Sequence, residues 1–139
     1  MMRAHAYFAR VDEARQEVDT LRRRRDKYIE MATGMSGMSE TAIRGNSTRS
    51  RVEAAALSLV ELSDRLDIAA EGYAQTVREA EALIARLQRP RHRQVLTLRY
   101  IEGRKWREIT QIMGYTDPKS AFRVHGWALQ AAQKLLDDV

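Results

Sequence analysis

The chain has 139 residues, 44% hydrophobic and 31% charged, with a net charge of +5 and no cysteine. That length holds one compact domain, or a small domain joined to an extended helical element, and excludes two large domains. The composition is too apolar for a disordered chain and too charged for a membrane protein, and without cysteine there can be neither disulfides nor thiolate zinc sites.

From the N-terminus, Tyr7, Val11, Ala14, Val18, Leu21, Arg25, Tyr28 and Ala32 recur in alternating steps of four and three. This is a heptad seam, broken once by Arg25, and it predicts a helix of roughly thirty residues, about 45 Å long. Before it, MMRAHAYFAR lacks the apolar run of a signal peptide, and nowhere do about eighteen apolar residues follow one another. A cytoplasmic protein with no membrane contact is therefore expected.

Residues 33–50, TGMSGMSETAIRGNSTRS, contain Gly34, Gly37 and Gly45 among Ser and Thr and show no helical period. They read as a long loop, taken as flexible, with a functional loop as the alternative. Ser50 and Glu53 have the S-x-x-E spacing of a capping box, which places the start of a second helix at Ser50. Its seam runs through Val52, Ala55, Leu59, Leu62, Leu66, Ala69, Tyr73, Thr76, Ala80, Leu83 and Leu87, to about Gln88. Two such narrow apolar stripes need partners, either each other in an antiparallel coiled-coil hairpin or a second chain in a homodimer.

Pro90 interrupts the pattern and sets the expected boundary between a helical hairpin at 1–88 and a C-terminal domain at 89–139. RHRQVLTLRYIEG predicts a third helix ending at a left-handed Gly103. A shorter fourth helix is expected from about Lys105 to Met113, stopped by Gly114. Asp117 as N-cap and Pro118 at the first helical position mark the start of the last helix. The fold class is all-α, a long two-helix hairpin followed by a three-helix domain.

Charge is distributed unevenly. Residues 1–88 carry 14 basic and 14 acidic side chains, whereas 89–139 carry 10 and 5. All the excess positive charge lies in the terminal domain, as expected if that domain meets a polyanion. Helix, glycine-marked turn and helix together describe a helix-turn-helix. On the last helix, Ala121, Val124, Ala128, Ala132 and Leu135 share one side, while Lys119, Arg123, Gly126, Trp127 and Gln130 share the other.

In a helix-turn-helix the start of the second helix enters the major groove, where Lys and Arg donate to guanine O6 and N7. Lys119, Ser120 and Arg123 are accordingly the expected base-reading residues of double-stranded DNA. Arg104, Lys105 and Arg107, around the start of the fourth helix, are expected phosphate contacts. Gly126 and Trp127 are candidates for contact with DNA or a partner. For Gly126 simple tolerance is the alternative, and for Trp127 packing on the long helices. Arg89, Arg91 and Arg93 read equally as a solvated basic face or as DNA contacts. Trp106, Ile109 and Met113 are expected in the core, with His125 at its edge making one hydrogen bond. The Arg22–Arg25 run, beside Asp19, Asp26 and Glu30, reads as a solvated, ion-paired face.

The stretch RQVLTLRYIEGRKWREITQIMGYTDPKSAFRVHGWAL resembles region four of bacterial sigma factors. It is closer still to phage late-gene transcription regulators of the ArpU and RinA type. The shared features are the LRYIEG helix end, the W-x-E-I step, the MGY turn and the H-G-x-A-L ending, over about residues 90–136. The resemblance implies a phage or prophage regulator in a bacterial host cell, acting beside the host RNA polymerase and reading a promoter element with Lys119, Ser120 and Arg123. Thr110 stands where these motifs usually have alanine, which implies slightly looser packing of the two helices. TDPKS adds a residue before the last helix, and no promoter-melting region is present.

Two other functional readings remain open at this level, a small-terminase-like DNA-packaging subunit and a protein-interaction module built on the long helices. No P-loop, H-E-x-x-H or nucleophile elbow is present, so no enzyme activity is expected. His5, His92 and His125 are too scattered to share a metal, and no cofactor is expected.

Overall fold

The computed structural model describes residues 3–33 and 46–138. Among these residues the chain is all-α, with no strand. The helices are α1 (Ala4–Thr33), α2 (Asn46–Ala85), α3 (Pro90–Leu96, continued by a π-helical turn at Thr97–Ile101), α4 (Trp106–Ile112) and α5 (Pro118–Asp137). No helix among the described residues is long and apolar enough to cross a membrane.

Both heptad seams are real. Every described seam residue of α1 and α2 is buried or half-buried, including Arg25, whose Nε is shielded from solvent without a hydrogen-bond partner. Its guanidinium also reaches Asp26 at 3.3 Å, while Arg22, Arg23 and Arg24 are exposed. Helix α2 begins four residues before the expected Ser50, so Asn46–Ser50 belong to a helix rather than a loop. Extending a nucleated helix costs far less than nucleating one, so a polar stretch can lengthen a helix whose downstream turns are already packed. The remainder of the expected loop, residues 34–45, lies outside the described residues.

Contacts divide the chain into two compact units, Met1–Ala14 with Tyr73–Val139, and Arg15–Gly72. The division does not fall at the 88/89 junction. In the second unit, Val18 and Leu21 of α1 and Ala55, Leu62 and Leu66 of α2 are buried. In the first, the start of α1 lies against the end of α2, the antiparallel order of a hairpin. There the Tyr7 hydroxyl donates to the Glu79 carbonyl at 3.0 Å and Arg10 pairs with the Glu79 carboxylate, also at 3.0 Å.

That first unit has one continuous core. Ala4, Phe8 and Val11 of α1 and Ala80, Leu83, Ile84 and Leu87 from α2 and just beyond it pack with Val95, Leu96, Leu98, Tyr100, Ile109, Met113, Ala121, Val124, Ala128 and Ala132. Helix α3 is its centre, since Val95, Leu96, Leu98 and Tyr100 are all buried although they point in different directions around one helix. Phe8 stacks on Tyr100 at 5.2 Å between ring centroids. The backbone N–H of Ala4, left without an intrahelical acceptor at the start of α1, donates to Gln133 Oε1 of α5 at 2.6 Å.

The turns follow their sequence signals. Pro90 occupies the first turn of α3 after an extended Arg89. Gly103 takes φ +67° and Gly114 φ +79°, each just past a helix end. The Asp117 carboxylate accepts from the Lys119 backbone N–H at 2.9 Å, capping α5.

Candidate nucleic-acid interface

Helix α5 is sharply two-sided. Ala121, Val124, Ala128 and Ala132 are buried and Leu135 is half-buried. Lys119, Arg123, Trp127 and Gln130 are exposed on the opposite side, with Gly126 half-buried between them. Between Pro118 and Leu136 there is no carboxylate. The Asp117 carboxylate, at the start, is engaged in the cap. A Cβ placed on Gly126 would meet nothing within 4 Å, so no neighbour within the fold requires glycine there.

The buried side of α5 is fixed by α3 and α4. Ile109 and Met113 are buried and Trp106 is half-buried. Thr110, which was expected to loosen the packing, is itself buried, and its hydroxyl donates to the Trp106 carbonyl at 2.7 Å. That bond removes the cost of burying the hydroxyl. The Trp106 ring meets the rings of Phe122 and His125 edge-on, each at 4.9 Å, and the Arg99 guanidinium lies over its face at 4.9 Å. His125 makes the single hydrogen bond expected of it, to the Tyr100 hydroxyl at 2.8 Å. Burial, then the charges of Arg99 and His5, push its pKa down to about 4. Burial raises the Tyr100 pKa, so the pair is neutral at physiological pH.

The glycine-marked turn between α4 and α5 is held by an arginine from α3. Arg91 donates to the Met113 carbonyl at 2.7 Å and its guanidinium lies 5.1 Å from the centre of the Tyr115 ring. Arg93 donates to the carbonyls of Leu87, at 2.6 Å, and Gln88, at 3.0 Å, pinning the α2–α3 connection. Two of the three arginines at the Pro90 boundary are thus engaged with backbone carbonyls, and Arg89 is exposed.

The three expected phosphate-contacting residues stand in different environments. Arg104 donates to Glu102 at 3.1 Å and to Glu108 at 3.2 Å. Glu108 also accepts from the Lys105 backbone N–H at 3.3 Å, so its carboxylate already sits at the positive end of α4. That N–H first and Arg104 second hold the Glu108 carboxyl below the usual range. A phosphate at Arg104 would compete with two carboxylates. Lys105 and Arg107 are exposed and, among the described residues, in no ion pair.

Phe122 was not singled out by sequence reasoning, yet it is 47% exposed beside Arg123. Its signal was its place at the edge of the apolar stripe of α5, one residue after Ala121. Trp127 is 51% exposed and lines a cleft formed with the α2–α3 connection, rather than being buried on the long helices. Among the described residues no group of three His, Cys, Asp or Glu side chains is arranged to hold a metal ion. No family model, characterised protein or solved structure matches the chain.

Proposed function

We propose that the chain is a sequence-specific DNA-binding transcription regulator, encoded by a phage or prophage and acting in the bacterial cytoplasm beside the host RNA polymerase. The phage setting and the polymerase rest on the sequence resemblance. The observation that carries DNA binding is the solvent face of α5. Lys119, Arg123, Gly126, Trp127 and Gln130 line it on a stretch of helix, Pro118 to Leu136, that holds no carboxylate. Its opposite face is locked into the core.

Helix α4, the Gly114 turn and α5 play the parts of a helix-turn-helix in this reading, with the start of α5 in the major groove. Lys119 and Arg123 donate to base edges, and Ser120 supplies a short hydroxyl beside them. Lys105 and Arg107 position the duplex through its phosphates, which sets register without reading sequence. Chemical catalysis and a cofactor have no part in this function.

The test is fluorescence-anisotropy titration of pooled random duplex DNA at several salt concentrations, followed by sequencing of the bound fraction. An enriched site for the wild type, lost in Lys119→Ala/Arg123→Ala with helicity intact, is the expected result. Failure of the wild type to bind at low salt would sink the proposal. Sedimentation of the free protein separates it from a packaging subunit, which would form a many-membered ring instead of a monomer or dimer.

A further inference from the structure

A cleft of about 570 Å³ opens between the α2–α3 connection and the second half of α5. Arg86, Arg89 and His92 line one side, and Trp127, Gln130 and Lys134 the other. No carboxylate lines it, and among the described residues Arg86, Arg89 and Lys134 take part in no ion pair. Three cations gathered around an exposed indole repel one another, and no carboxylate within the cleft offsets them. The cleft is also firm. Its connection is tied down by Arg93 through the Leu87 and Gln88 carbonyls, and Leu87 is buried in the core.

We propose that this cleft is a second polynucleotide contact, gripping the phosphodiester backbone that flanks the bases met by the start of α5. The inference rests on the DNA-binding reading above and extends it to residues outside the helix-turn-helix. Lys134 lies fifteen residues beyond Lys119, about 22 Å along the helix axis. The major groove is only about 12 Å wide, so a helix that enters it by its first turns emerges over a phosphate strand before its end. The cations of the cleft stand where that strand passes. Trp127 and Gln130, midway, offer an apolar face for a sugar and a donor for a phosphate oxygen.

His92 reports on occupancy. Burial first and the Arg89 charge second hold its imidazole below the ordinary pKa, so it is neutral in the free protein at pH 7. A phosphate in the cleft reverses the local field and raises that pKa.

The test uses the full chain and pooled random duplex, titrated by anisotropy at several salt concentrations. Two variants are compared with wild type, the triple alanine variant at Arg86, Arg89 and Lys134, and the single reversal Arg89→Glu, both at exposed side chains. The triple variant is expected to bind about tenfold or more weakly near physiological salt. Its log–log salt slope should be shallower by about 2 to 3, at roughly 0.9 for each lost phosphate contact, with sequence selection retained. The His92 resonance is expected to titrate at higher pH in the complex. Trp127 emission, taken as wild type minus Trp127→Phe, is expected to change with duplex.

If wild type binds duplex while both variants keep its affinity and slope, the cleft proposal is overturned and the α5 reading stands. Saturable quenching of Trp127 by free adenosine monophosphate, with no response to duplex, also overturns it, assigning the cleft to a free nucleotide. If wild type binds no duplex, both readings fall together.

Discussion

The Tyr100 hydroxyl and His125 Nε2 lie 2.8 Å apart, joining the π-helical turn that ends α3 to the middle of α5. Their rings sit inside a chain of aromatic contacts from Phe8 through Tyr100 and His125 to Trp106 and Phe122. The basic face at the start of α5 is therefore oriented by a neutral imidazole in partly buried surroundings.

This predicts a pH dependence with a definite sign. His125 has a folded pKa of about 4 against 6.5 for the free side chain, so the unfolded chain binds the additional proton first. Its neutral form stabilises the fold fully above pH 6.5, and that contribution is lost as pH falls from 6.5 towards 4. After discounting for the partial exposure of the ring, the loss is about 1–2 kcal/mol. Urea unfolding at pH 7.5 and pH 5 should show it, and His125→Gln should flatten the difference. An equal pH response in the variant would place its origin elsewhere.

Arg91 is expected to behave as a structural arginine. Replacing it with alanine removes the bond to the Met113 carbonyl and the cover over Tyr115, for a loss of about 1–2 kcal/mol. Since the guanidinium is committed within the fold, Arg91→Ala should leave the salt slope of duplex binding unchanged, whereas Lys105→Ala and Arg107→Ala should each reduce it by about 0.9. A reduced slope in Arg91→Ala would make this residue a phosphate contact instead.

Two glycines with open space around them should respond in opposite directions to alanine. Gly114 has φ +79°, where a side chain is strained whatever the room, so Gly114→Ala is expected to cost about 1–2 kcal/mol. Gly126 lies inside α5 with nothing near its would-be Cβ, and Gly126→Ala should stabilise by about 0.5–1 kcal/mol. If the α5 face meets DNA closely at this point, the same change weakens duplex binding while raising the unfolding midpoint. Raised stability with unchanged affinity would assign Gly126 no contact.

The helices and their faces were legible in the sequence because they rest on local signals. The heptads marked the sides of α1 and α2, Asp117-Pro118 marked the start of α5, and Gly103 and Gly114 marked the turns. Contacts made by a third element were not legible. Phe8 and Ile84 each follow a seam residue, Tyr7 and Leu83, and a seam describes only the side turned towards one partner. Both are buried because the C-terminal helices add a second partner. The widened stripes, Tyr7-Phe8 and Leu83-Ile84, were the available sign. Arg91 and Arg93 could not be told from solvated arginines, since their carbonyl partners are neighbours only in three dimensions. Arg104 was likewise read by its charge alone, without the two carboxylates that hold it.

The burial of Phe8 makes the strongest claim about how the molecule is built. Proline at position 90 marks the expected start of a terminal domain, yet Phe8 is fully buried against Tyr100, and Ala4 is hydrogen-bonded to Gln133. A fragment of residues 89–139 lacks Ala4, Phe8, Val11, Ala80, Leu83, Ile84 and Leu87, all members of the same core. Its remaining apolar surface would face water, and about fifty residues with half a core are marginal at best. Circular dichroism of this fragment should show little helix and no cooperative thermal transition. In the full chain, Phe8→Ala should cost about 3–5 kcal/mol and weaken duplex binding even though Phe8 lies far in sequence from α5. A fragment that unfolds cooperatively and binds DNA like the whole chain would show that α1 only covers the domain; an unfolded one would mean that the hairpin completes it.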